Sequence, residues 1–178
     1  MTTQRQTSKP RIVLISIAII VATALVTWLI IFATRDRNPI PVDMREKLSF
    51  SPLVIPLENQ SFKTTNYSLS RSEDGTQILT YTINYNDTSV TLSEYVQPPE
   101  FSEIPEYKDR FLSNIIKQQQ VVQTANGAIY LSSLAPKDNS QIGVMLERGL
   151  IVLIKPDTPL QAADWRKLVE NLQVQKID

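Results

Sequence analysis

The chain has 178 residues with 18 Lys+Arg against 18 Asp+Glu, and it contains neither Cys nor His. Disulfides, thiol catalysis, Cys- or His-ligated haem, Cys- or His-bound zinc and every His-dependent triad are therefore excluded. The zero net charge is a cancellation: residues 1–37 carry Arg5, Lys9, Arg11, Arg35 and Arg37 against Asp36, a net +4, which leaves 13 basic and 17 acidic side chains, a net −4, for the rest. An acidic folding part repels phosphates, so no nucleic-acid partner is expected.

Residues 1–11 form a short basic tail. From Ile12 to Ala33 the chain reads IVLISIAIIVATALVTWLIIFA, 22 residues broken only by Ser16, Thr23 and Thr27, with no charge, Pro or Gly. At a helical rise of about 1.5 Å this run spans roughly 33 Å, enough for a hydrocarbon core of about 30 Å. A transmembrane helix over 12–34 is expected, with the lipid bilayer as its partner and Trp28 near one interface. A cleaved signal peptide needs a shorter apolar region and a small-residue site at its end. Here the A-x-A of Ala22 to Ala24 falls in mid-run, so an uncleaved anchor is the reading. Lys and Arg flank both ends almost equally, but only the C-terminal flank interleaves acids (Asp36, Asp43, Glu46). The expected topology is a single pass in the cell membrane, N-terminus cytoplasmic and the larger part extracytoplasmic. Ala18 and Ala22 form a small-xxx-small pair that could seat another helix, although lipid-facing residues are the simpler reading.

Pro39 and Pro41 favour extended backbone, and residues 35–47 read as a stiff Pro-rich stalk. From Leu48 the chain turns apolar (Phe50, Leu53, Val54, Ile55, Leu57), which predicts an edge strand docked on a domain over 48–178; a free partner-binding peptide is the alternative. Strands are predicted at Lys63–Ser70, Gln77–Tyr85, where Leu79, Tyr81, Ile83 and Tyr85 alternate with polar residues, and Ser89–Gln97, with turns at RSEDGT and Asn86-Asp87. A helix over Glu103–Gln120 follows, with Ser102 as its cap and Pro105 in its first turn. Strands at Val121–Thr124 and Ala128–Leu134 flank Asn126-Gly127. After the turn PKDNS, Gln141–Glu147 and Leu150–Ile154 flank Arg148-Gly149. LIVLI is apolar on both faces and belongs in mid-sheet, covered by the two helices. The last helix opens at Thr158-Pro159 and carries Trp165, Leu168, Val169 and Leu172 as an apolar stripe. The order βββα then ββββα predicts an α+β fold on a mainly antiparallel sheet with two helices, preceded by the membrane helix.

The segments FSPLVIPL, EDGTQILTY, LSEYVQPP, NGAIYLSSLA, VMLERGLIVLI and TPLQAADWRKLVENL, in that order over about residues 48–174, resemble the small extracytoplasmic α+β domains that follow a single anchor in bacterial envelope proteins. Some of those accompany anti-sigma-factor and sporulation-type membrane proteins. The layout is similar to the PsbP-like sandwich, a likeness of fold that carries no activity. The resemblance implies a bacterial extracytoplasmic setting. In that setting the N-x-[ST] sequons at Asn59, Asn66 and Asn86 are coincidental.

Glu94, Glu100, Glu103, Glu106 and Asp109 are the one chemically suggestive cluster, since paired carboxylates can hydrolyse glycosides and several oxygens can hold Ca²⁺. Glu100, Glu103 and Glu106 surround a predicted helix start, with Lys117 near its end, so complementing the helix dipole explains them more simply. Glu94 shares its strand face with Val90, Leu92 and Val96. If buried, it needs a partner or a raised pKa, and an Arg or Lys partner or exposure at the strand end is expected. G-x-S-x-G and S-x-x-K are absent, the nearest spacings, Ser113 to Lys117 and Ser133 to Lys137, being one residue too long. With four glycines there is no phosphate-cradling loop. No catalytic, cofactor-binding or metal residue is assigned and no cofactor is expected. The expected role is a non-enzymatic one, binding or sensing in the envelope through a protein partner or a small ligand. The alternatives are a structural subunit of an envelope complex and, after it, a carboxylate-dependent hydrolase.

Overall fold

The computed structural model describes residues 9–34, 38–116, 120–134 and 140–177, without the side chains of 9–19 and 33–34. The basic tail before Lys9, the start of the stalk (35–37), Lys117 and the PKDNS turn up to residue 139 lie outside these. The chain divides into two compact units, residues 1–37 and 38–178.

The first unit contains helix α1 (Lys9–Thr34), 26 residues long. Among the described residues no helix is long and apolar enough to cross a membrane. Side chains of α1 are described only from Ile20 to Phe32, and those 13 residues span roughly 20 Å.

The second unit is α+β, as expected. A seven-stranded sheet has the order β2-β3-β4-β8-β7-β6-β5. Its strands are β2 (Lys63–Arg71), β3 (Gln77–Tyr85), β4 (Thr88–Val96), β5 (Gln120–Thr124), β6 (Gly127–Leu131), β7 (Gly143–Glu147) and β8 (Leu150–Pro156). Every neighbouring pair is antiparallel. LIVLI sits in β8, the central strand, and both its faces are covered. Val152 and Ile154 join a core under α5 (Ala162–Glu170), while Ile151 packs with Leu112 and Ile116, at and just past the end of α4 (Tyr107–Ile115), on the opposite face. Three layers result, and the larger core lies on the α5 side. Two hairpin signals hold as placed: Asn86 and Asp87 (φ +47° and +60°) and Arg148 and Gly149 (φ +53° and +75°) take the left-handed conformation that a two-residue hairpin turn requires. The third is shifted by one residue, the β5–β6 turn being Ala125-Asn126 with Gly127 already in β6.

Several expectations need correction. Among the described residues there are five helices: besides α1, α4 and α5, single turns form at α2 (Val42–Arg45) and α3 (Glu100–Glu103). The helix expected over Glu103–Gln120 is broken, because Ile104 precedes Pro105 and takes extended backbone (φ −117°, ψ 108°), as a residue before proline must. Ser102 is no cap; its hydroxyl donates to the Pro99 carbonyl at 2.8 Å. The last helix starts at Ala162 with Gln161 at its N-cap, and Thr158 instead shares a 2.8 Å hydrogen bond with Thr88. The stalk does not run free to Lys47, since Ile40 is 1% exposed and Met44 packs on the core. Nor is the 48–57 segment an edge of the main sheet. Only β1 (Leu53–Val54) is strand, and it pairs with β9 (Gln173–Val174) in a separate two-stranded sheet. Such short partners carry no periodicity for a sequence to display.

One turn residue holds two elements. Asn126, next to Gly127, donates its side-chain amide to the carbonyls of Val169, Glu170 and Leu172 at 3.0, 3.2 and 2.9 Å, satisfying acceptors that the end of α5 leaves open. Asn126→Ala should destabilise the domain by about 1–2 kcal/mol. Asn126→Asp, which turns an acceptor towards those carbonyls, should cost at least as much, and urea midpoints of the two variants would show it.

Candidate functional site

The acidic cluster does not assemble. Glu94 lies in the interior, whereas Glu100 and Glu103 fall in the first turn of α3, Glu106 at the N-cap of α4 and Asp109 in its first turn, all of them positions favoured by the helix dipole. Among the described residues no group of three Asp or Glu side chains could hold a metal ion.

Glu94 is 0% exposed. It stands on β4 between Leu79 of β3 and Val152 of β8, and Tyr81 is its diagonal neighbour on β3. The expected Arg or Lys partner is not what it has. Oε2 accepts the Leu53 backbone N–H at 2.8 Å, and Oε1 lies 2.7 Å from the Tyr81 hydroxyl, which also contacts the Leu53 carbonyl. Burial pushes the carboxyl up to about 8, opposed only by the hydrogen bonds with Tyr81 and Leu53. Tyr81 is pushed well above the usual phenol range by burial and by Glu94. Tyr67, stacked on it with ring centroids 5.3 Å apart, is raised mainly by its own burial. The strand-face alternation was enough to place Glu94 inward. It failed at Val96, 45% exposed, where β4 runs out of the sheet's cover.

A second buried polar side chain fastens the same strap. Gln77 donates to the Lys47 carbonyl at 2.7 Å and accepts the Ser49 N–H at 2.8 Å and the Ser49 hydroxyl at 2.7 Å. Residues 47–53 are thus held to β3 and β4 by two interior groups, one titratable and one not.

Two grooves open on the domain surface. The larger, about 890 Å³, runs between the β2–β3 turn and the end of β4, with Arg71, Asp74, Tyr95, Val96, Pro99 and Glu100 among its lining residues. One carboxylate oxygen of Glu100 is buried in its wall without a hydrogen-bond partner among the described residues. The smaller, about 380 Å³, lies beside β1 and β9, where Glu147, Arg148 and Glu170 supply the charge. Glu94 lines neither, so Glu94 and Glu100 are not brought to one of these clefts, although each groove carries two acidic side chains, Asp74 with Glu100 and Glu147 with Glu170. In the β2–β3 turn, the Ser72 hydroxyl bonds the Asp74 carboxylate and holds it below the usual carboxylate range.

Neither a protein-family model nor a curated protein matches the chain. What it does must therefore be argued from its own residues. The features that sequence reasoning missed are Tyr81 as the partner of Glu94 and the backbone of Leu53 as its third member. Tyr81 could have been found, since it shares the inward alternation of β3 and lies one strand away. A backbone donor 41 positions off leaves no mark in a sequence.

Proposed function

We propose that this chain is a single-pass protein of the bacterial cell envelope, held by residues 12–34 with its N-terminus in the cytoplasm, and that its 38–178 domain binds a partner outside the membrane. One observation carries the reading. Ile20, Val21, Leu25, Val26, Trp28 and Leu29 of α1 are each more than half exposed, and at about 100° per residue they cover more than half of the helix circumference. A helix apolar on nearly all sides is stable when lipid surrounds it. The uncharged run from Ile12 to Ala33 extends the same character to membrane length. The likeness of the domain to extracytoplasmic α+β modules points the same way. The larger groove is the surface such a domain would offer, since Tyr95, Val96 and Pro99 give it an apolar wall and Arg71, Asp74 and Glu100 a charged rim.

Topology tests this directly. A periplasmic-active reporter fused after Asp178 should be active and a cytoplasm-active one silent, with the full chain resisting alkaline extraction from membranes. The reverse reporter pattern overturns the orientation, and complete extraction overturns the anchor.

A further inference from the structure

The contacts around Glu94 contain more oxygen atoms than an ionised carboxyl can satisfy. The Tyr81 hydroxyl has one proton and two close oxygen neighbours, Glu94 Oε1 and the Leu53 carbonyl. With Glu94 ionised, one of those two contacts has no hydrogen in it. A proton on Oε1 closes a ring: Leu53 N–H donates to Oε2, the carboxyl O–H donates to Tyr81, and the Tyr81 O–H donates to the Leu53 carbonyl. Every group is then satisfied in an interior where an unpaired one is costly. The elements packed round Glu94 supply no opposing charge. Among the described residues its neighbours are Leu79 and Tyr81 from β3, Val152 from β8 and Leu53 from β1, and the titratable groups that feel its charge are the phenols of Tyr81 and Tyr67, neither of them a cation.

We propose that Glu94 is a proton-operated latch on the strap of residues 48–57. With the proton in place β1 is held against the sheet, and with the proton gone β1 is released, together with β9, its strand partner. Coupling between the two strands is built in: Leu53 pairs with Val174, and the Gln175 N–H donates to the Pro52 carbonyl at 2.8 Å. Opening bares the core surface under Phe50, Leu53, Val54 and Ile55, all of them buried in the closed state. The Gln77 clasp does not titrate, so the strap stays tethered at Ser49 while its Leu53 end lifts. The device turns the proton activity outside the sheet into exposure of an apolar surface.

The two clasps give the test an internal control. Amide hydrogen exchange of the full chain in detergent micelles, corrected for the intrinsic base-catalysed rate, should show protection at Leu53 and Gln175 falling about tenfold per pH unit between pH 5 and 8, because opening releases one proton. Protection at Ser49, which is lost only when the whole domain opens, should exceed that at Leu53 at every pH. Glu94→Gln, whose amide reproduces the protonated carboxyl's donor and acceptor, should abolish the slope and keep Leu53 at its pH 5 protection throughout. Equal protection at Leu53 and Ser49 across the range, or an unchanged slope in the Gln variant, overturns the latch. Should that variant not fold, the wild-type contrast between Leu53 and Ser49 decides alone.

Discussion

Trp165→Ala should lower the stability of the 38–178 domain by about 3–5 kcal/mol, the range for emptying a large aromatic site in a rigid core. Trp165 is 0% exposed and is among the largest fully buried side chains under the sheet. Its place depends on a residue that has no side chain. A Cβ on Gly143 of β7 would come within 2.8 Å of the Trp165 ring and 2.9 Å of Ile129 Cδ1, closer than carbon atoms approach. Gly143 is thus where the α5 indole comes against β7, the close approach that a glycine inside a strand announces. Gly143→Val should overpack the same site and cost as much as an ordinary core truncation, about 1–3 kcal/mol or more. The two positions should be coupled: Gly143→Ala should cost clearly less in a Trp165→Phe background than alone, since the smaller ring makes room. Trp165→Phe itself should be mild, because the indole N–H it removes has no hydrogen-bond partner among the described residues. Urea midpoints followed by circular dichroism, with unchanged m values, would measure all five variants, the double one included. Strict additivity of the double variant would mean that the ring and Gly143 do not share one space.

Local chemistry explains what the sequence made legible. β3 was bounded correctly because Leu79, Tyr81, Ile83 and Tyr85 face inward and their polar neighbours do not, a pattern set by the strand's own period. The hairpins were legible because Asn86, Asp87 and Gly149 are residue types that accept left-handed backbone, and Arg148 is carried into it by the turn. The centre of the sheet was legible in LIVLI, since only a strand covered on both faces needs five apolar residues in a row. The rest is long-range. β1 and β9 are two residues each and exist because the core under them must be covered. The stalk expected from Pro39 and Pro41 folds down because Ile40 finds that core, a contact that proline content cannot foretell. Glu94 was legible as inward-facing, but its partner was misjudged. Electrostatics suggests a cation for a buried carboxylate, whereas a proton and a tyrosine serve equally well and cost no second charge in the interior.

That choice of partner sets the sign of the second large effect. The Glu94 carboxyl stands at about 8 in the folded domain against an ordinary value of 4.5. Below pH 4.5 folded and unfolded chains both carry the proton, and the contribution of the closed ring is fully present. Between pH 4.5 and 8 the unfolded chain has lost the proton and the folded one keeps it, so each unit of rising pH removes about 1.4 kcal/mol of stability. The total is on the order of 5 kcal/mol, and above pH 8 the loss levels off. The slope is opposite to that of a salt-bridged carboxylate, which stabilises above its own titration. Asp74, lowered by Ser72, has that ordinary sign, and it is fully exposed. Urea midpoints of the full chain from pH 4 to 9 should therefore fall through neutrality, and Glu94→Gln should remove the fall. The two proteins should match near pH 4.5 and diverge as pH rises, the variant becoming the more stable. Glu94→Ala should instead be weak at every pH, since it leaves Tyr81 and the Leu53 N–H without their partner and opens a cavity between β1 and the sheet. Parallel curves for wild type and Glu94→Gln would mean that the carboxyl is already ionised at neutral pH, with the Tyr81 proton pointing to it rather than to the Leu53 carbonyl.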